Sequence, residues 1–218
     1  AHGALYVFYS IYLVDNAYDK ALVGWMWTLG VAAEILVFML MPRITRRFSL
    51  RAILIFSFAC AVLRFVLIGW GADSLAILLF AQLLHGATFG AYHAAAIAIV
   101  NLWFPGRLQY KGQALYGSLS FGAGGMLGGL LSGYTWDSLG PEWTFTLGSG
   151  FALAGLIFVA LAVVVAKVLS RRTGQAFAST WRTLWRGETG FAWNAVLATV
   201  GVLLVVALPI LALCGDYH

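Results

Sequence analysis

A carboxylate, a guanidinium and an imidazole stand far inside apolar stretches of this chain: Glu34, Arg64 and His85. Holding ionisable groups in hydrocarbon is costly, so each has to be neutral, paired or open to water, and such groups mark paths for protons or charged solutes. Of the 8 acidic residues, Glu34 alone lies in mid-stretch; the others fall in links, at a margin or in the tail. Arg64 cannot realistically lose its proton and therefore needs an anionic partner or an aqueous cavity. A Glu34–Arg64 ion pair is the economical expectation. At about 100° per residue, His85, Thr88 and Tyr92 share one helix face, while His93 falls roughly 80° away. His85 thus has polar neighbours and two charges at similar depth, the surroundings of a proton or substrate path. His93 reads as a hydrogen-bonded packing residue. On the first apolar stretch His2, Tyr6 and Tyr9 recur at i, i+4 and i+7.

The elements that carry these residues follow from composition. The chain has 218 residues, 62% of them hydrophobic and 10% charged. A mean hydropathy of +0.90 is too high for a water-soluble surface, so the solvent is lipid. A span needs about 20 apolar residues. Hydropathy places about seven spans, near 1–14, 22–42, 51–71, 75–101, 113–134, 144–168 and 189–214. Backbone groups in lipid must be satisfied within each segment, which leaves α-helix as the state of runs this long. The chain lacks a starting methionine and its first run is short, so it is expected to begin inside a helix with further sequence upstream.

Basic residues collect in alternate links: Arg43, Arg46, Arg47 and Arg51, then Arg107 and Lys111, then Lys167, Arg171, Arg172, Arg182 and Arg186. The intervening links hold Asp15, Asp19, Asp73, Asp137 and Glu142, with Lys20 as their one basic residue. The positive-inside bias predicts a first helix running outward and a C-terminus on the outer side. Trp25, Trp70, Trp136 and Trp143 fall near the outer helix ends and read as headgroup anchors. Phe177, Trp181, Leu184 and Trp185 recur at helical spacing beside Arg182 and Arg186, the pattern of a short helix lying on the membrane surface. On the fifth helix Gly124, Gly125, Gly128, Gly129 and Gly133 form pairs four residues apart, suited to close helix packing.

Other chemistries find no support. Cys60 and Cys214 have neither metal nor disulfide spacing and read as packing residues. The net charge of +5 sits in the links where topology requires it, so no nucleic-acid partner is expected. There is no phosphate loop, metal-spaced cluster or serine elbow, and no enzyme activity is expected. Haem or chlorophyll ligation by His2, His85 or His93 lacks a motif. No cofactor or metal is expected.

Three stretches, Gly30-Val-Ala-Ala-Glu34, Ala61-Val-Leu-Arg64 and Gln82-Leu-Leu-His85-Gly86, resemble helices eight, nine and ten of the lactose permease and phenylpropionate permease branch of the major facilitator superfamily. The phenylpropionate permease group is the nearer pattern, which extends to Ala1-His-Gly-Ala4, Val23-Gly-Trp-Met-Trp-Thr-Leu-Gly30 and Gln113-Ala-Leu-Tyr116. The resemblance covers about residues 1–166 and implies the C-terminal six-helix half of a twelve-helix symporter with a midplane site and alternating access. It implies substrate binding and proton coupling by Glu34, Arg64 and His85. Lactose permease places a carboxylate one turn after the helix-ten histidine, where this chain has Thr88.

The expected fold is all-α and integral to the membrane: residues 1–168 as a six-helix half-bundle, 169–188 as a linker with an interfacial helix, and 189–218 as one additional transmembrane helix with a short outer tail. The expected function is proton-coupled symport of a small organic, aromatic acid, with Tyr6, Tyr9, Tyr92, Tyr116 and His2 lining the cavity. The alternative is a transport-inactive half-transporter serving as an accessory subunit of a larger membrane complex. Expected partners are the lipid bilayer, an N-terminal six-helix half or other membrane subunits, and a small-molecule substrate with protons. The expected location is a bacterial inner membrane.

Overall fold

The computed structural model describes residues 1–173; of the linker expected at 169–188 only residues 169–173 fall within them, as the end of a helix, and the surface helix and the span expected at 189–214 lie outside. Six helices follow one another: α1 (Gly3–Asp15), α2 (Lys20–Arg47), α3 (Leu50–Trp70), α4 (Leu75–Trp103), α5 (Gly106–Leu139) and α6 (Pro141–Thr173). Helices α2 to α6 are long and apolar enough to cross a membrane, and α1 is a shorter apolar helix. This is a multi-pass membrane protein.

Local chemistry sets the helix ends. Asp19 accepts from the Leu22 amide at 2.8 Å and Ser49 from the Ala52 amide at 3.3 Å, so a side-chain oxygen satisfies one orphan N–H at the start of α2 and of α3. Gly140, at φ +87°, closes α5 in a conformation that favours glycine, and Pro141 opens α6 where its missing N–H costs nothing. Pro42 lies inside α2 and removes one hydrogen bond of that helix. The first six expected spans fall on these helices, but α5 begins earlier than expected and α6 continues to Thr173.

The chain divides into two compact units, Ala1–Leu156 and a second beginning at Ile157. In the first, a core of Leu5, Tyr9 and Leu13 from α1, Met26 from α2, Phe65 and Ile68 from α3, Leu78 from α4 and Phe145 from α6 excludes solvent. A smaller cluster joins Met41, Ile53, Ala91 and Ala95. Polar ties brace the apolar packing: Tyr12 donates to the Gly69 carbonyl at 2.7 Å, Ser149 to the Val62 carbonyl at 2.8 Å, and the Trp70 indole to Thr146 at 2.9 Å. Of the described second unit, Ile157 to Thr173 is the continuation of α6.

Only part of the α5 glycine run packs against a neighbour. A Cβ on Gly3 of α1 would run into the Gly128 backbone, and Cβ atoms on Gly129 and Gly133 would reach Val7 and Phe8 at 4.0 Å. Among the described residues a Cβ on Gly125 would meet nothing within 4 Å, and one on Gly124 would meet only Leu119 of its own helix. The expected packing role of Gly124 and Gly125 is therefore corrected, because the glycine repeat winds round α5 and only one arc faces α1. Gly3→Ala is expected to cost about 1–3 kcal/mol through overpacking. Gly125→Ala is expected to be neutral or to stabilise by up to ~1 kcal/mol. Thermal unfolding of the two variants in detergent checks both.

Candidate functional site

Arg64 is fully buried at the centre of the bundle. Its Nε donates to the Ala81 carbonyl at 2.9 Å, its Nη2 to Gln82 Oε1 at 3.0 Å and its Nη1 to Thr88 Oγ1 at 3.3 Å. All three acceptors are neutral and lie on α4. The expected Glu34–Arg64 pair is corrected: among the described residues no carboxylate lies within ion-pair distance of the guanidinium. Its planar fork spans acceptors on successive turns of a neighbouring helix, which a point charge cannot do.

Glu34 pairs with His85 instead. Glu34 Oε2 lies 3.6 Å from His85 Nε2, within ion-pair range but longer than a hydrogen bond. Glycines allow this approach. A Cβ on Gly86 would stand 2.7 Å from the Ala33 carbonyl oxygen, and one on Gly90 would stand 3.3 Å from Glu34 Cγ. The α4 backbone can therefore lie directly against α2 where Glu34 projects. The side chain of Glu34 is 19% exposed and that of His85 8%, so the pair sits at the edge of the packed interior. The buried His85 Nδ1 and His2 Nε2 have no hydrogen-bond partner among the described residues. The His2 ring lies 6.5 Å from that of His85 and meets Phe65 edge-on at 5.1 Å. Tyr6 lies 6.0 Å from His2 on its exposed side.

The face of α4 differs from a uniform helix reading. Residues Gly86–Ala91 form a π-helical turn, and Ser118–Ala123 form another in α5. A π turn takes one more residue than an α turn, so it shifts everything beyond it by one position on the helical wheel. His93, rather than Tyr92, falls in line with His85. Phe89 stacks between them, 5.4 Å and 16° from the His85 ring and 5.8 Å and 10° from the His93 ring. Tyr92 turns to α3 and meets Phe58 at 5.4 Å, so its expected place in the cavity lining is corrected. Thr88, placed on the His85 face by simple periodicity, serves Arg64.

From α5, Phe121 approaches Phe89 at 6.3 Å and His93 at 5.7 Å. His93 Nδ1 lies 3.2 Å from the Tyr116 hydroxyl oxygen, a hydrogen bond whose direction the imidazole tautomer sets. Phe89 and Phe121 were invisible as site residues in the sequence because an isolated phenylalanine in an apolar run carries no polar signal. Tyr9 is buried against Trp27 at 5.6 Å rather than lining a cavity. Of the expected anchors, Trp25, Trp70 and Trp143 are exposed. Trp136 instead stacks on Phe8 at 4.4 Å and packs on the core, because the register of α5 turns it toward α1. Among the described residues no group of three His, Cys, Asp or Glu side chains stands close enough to hold a metal ion.

The arrangement offers a permanent buried positive charge, a carboxylate and imidazole that can exchange one proton, and an aromatic wall between two helices. Among the described residues the arrangement sets no nucleophile against a base. Comparison with known proteins gives the family. Residues 1–147 match the MFS_1 like family. The chain is similar to the "Probable 3-phenylpropionic acid transporter" of Escherichia coli (strain K12), 33% identical over 140 residues that cover 64% of this chain and 36% of the relative. It is also similar to the "Putative nucleoside transporter YegT" of the same organism, 30% identical over 138 residues that cover 62% of this chain and 32% of the relative. The chain thus spans about a third of the length of these relatives. No solved structure matches it significantly. With more than half its length matched and with a fold of apolar helices to fit, the chain belongs to the MFS_1 like family, whose relation is to membrane transporters of the major facilitator superfamily and not to enzymes.

Proposed function

We propose that this chain forms the C-terminal half of a proton-coupled secondary transporter for a small aromatic carboxylate in a bacterial inner membrane. The observation that carries the reading is the Glu34–His85 pair, 3.6 Å apart, beside a guanidinium already satisfied by neutral acceptors. Because Arg64 does not neutralise Glu34, the carboxylate is left to bind and release a proton with His85 as its neighbour. The half-exposed aromatic wall of Phe89, Tyr116 and Phe121 suits a flat ring, in keeping with the named substrate of one relative. The second six-helix half, the inward face of the basic links and the outer position of the C-terminus belong to the same reading.

The test is uptake of a labelled aryl-alkanoic acid by the full-length protein in proteoliposomes under an imposed pH gradient. Accumulation is expected to vanish when a protonophore collapses the gradient, and to fall in His85→Ala. Accumulation that survives both would sink the proton-coupled reading.

One observation favours a second reading, a transport-inactive accessory subunit. Thr88 stands where lactose permease has a carboxylate, and its hydroxyl is taken by Arg64. Purification in mild detergent separates the two: stoichiometric partner chains together with no uptake would support the subunit.

A further inference from the structure

Two features on facing helices extend beyond the Glu34–His85 pair. One is the ladder in which Phe89 lies nearly parallel to both His85 and His93. The other is the hydrogen-bonded His93–Tyr116 pair at the far end of that ladder. From His85 to His93 the helix advances eight residues, about 12 Å at an α-helical rise and somewhat less through the π turn. An extended aryl-propanoic acid measures about 9 Å from carboxylate oxygen to a substituent oxygen opposite on the ring, by ordinary bond lengths. The ladder therefore has a polar end at His85, an apolar aromatic middle and a polar far end, at the spacing of such a molecule. It is also open. Phe121 is 49% exposed, Phe89 and Tyr116 are half-buried, and no residue of the Ser118–Ala123 turn is buried.

We infer that His93 and Tyr116 form a hydroxyl-reading subsite, which selects aryl-alkanoic acids bearing a ring hydroxyl distal to the side chain. This inference rests on the aromatic-acid reading above and adds the substituent to it. A phenolic hydroxyl both donates and accepts, which matches a Tyr116 oxygen and an imidazole nitrogen that can take either role. Phe89 and Phe121 hold the ring by offset and tilted contacts. Because His93 and Tyr116 satisfy each other when no hydroxyl is present, an unsubstituted ring strands no buried polar group. The selectivity is therefore about tenfold, the worth of one neutral hydrogen bond, and not the far larger factor that an orphaned site would impose.

The experiment measures binding and competitive uptake of 3-phenylpropionate and 3-(4-hydroxyphenyl)propionate by the full-length protein. Binding is read in detergent by quenching of tryptophan fluorescence. The wild-type affinity ratio is expected to favour the hydroxylated acid about tenfold. In the double variant His93→Phe, Tyr116→Phe, which keeps the rings and removes both hydrogen-bonding groups, the ratio is expected to fall to near one. A wild-type ratio already near one, or a ratio unchanged in the double variant, overturns the subsite. Should the double variant fail to fold, the wild-type ratio still decides. A hydroxyl preference in binding together with uptake indifferent to the pH gradient would leave the subsite standing and remove proton coupling. Gradient-driven uptake with no hydroxyl preference would do the reverse.

Discussion

Glutamine in place of Glu34 is expected to lower gradient-driven accumulation roughly 100-fold, the lower end of what a positioned proton-transfer group contributes. Substrate exchange without net proton movement is expected to continue. Glutamine nearly preserves the volume and the polar contact with His85, so packing against Gly90 is retained; what is lost is a group that can carry a charge in one state and none in the other. The two halves of the prediction need each other. A purely structural role for Glu34 would lower exchange and accumulation together, whereas proton coupling lowers accumulation alone. Uptake under an imposed gradient and counterflow of labelled against unlabelled substrate, measured on the same vesicles, separate the cases. Equal loss in both assays would refute coupling through Glu34.

Lysine in place of Arg64 is expected to be nearly as damaging although the charge is kept. The three acceptors on Arg64 are met by three different atoms of the guanidinium, at 2.9, 3.0 and 3.3 Å. An ammonium is a single centre on a flexible stem, so it leaves at least one of Ala81, Gln82 and Thr88 unsatisfied in a dry interior. One buried orphan costs about 1–3 kcal/mol, which should lower the melting temperature in detergent. Since those acceptors lie on the turns flanking His85, uptake should fall by about tenfold or more. Arg64→Met combined with Gln82→Leu removes the charge and one acceptor together. Its expected result is recovery of much of the stability with no recovery of uptake, because buried polar groups removed in pairs are cheaper than those removed singly. Melting curves and uptake rates for the three proteins check this.

Much of the architecture was legible from hydropathy, because membrane solvation forces long apolar runs into helices and leaves charge in the links. The depth of Glu34, Arg64 and His85 was legible for the same reason. Their pairing was not, since depth says nothing of rotation about the helix axis. Arg64 finds its acceptors on α4 and leaves Glu34 to His85. Tyr92 and His93 exchanged roles because wheel arithmetic assumes a constant number of residues per turn, and nothing in Gly86-Ala-Thr-Phe-Gly-Ala91 marks a π turn beyond its two glycines. Trp136 was misread because a tryptophan near a helix end serves equally as an anchor or as a packing residue, and only the facing Phe8 decides between them. The expected seventh helix and the expected surface helix before it fall outside the described residues.

The π turn at Gly86–Ala91 has a further consequence for comparing this chain with its kin. Such a turn absorbs one residue while the helix on either side keeps its place. A related chain with a regular helix there would be one residue shorter between the same two ends, with its residue seven after the histidine standing where His93 stands. Paired without a gap, that residue would be matched to Tyr92, which points to α3. The deletion belongs between Gly86 and Ala91, and only with it there are residues that occupy the same space set side by side.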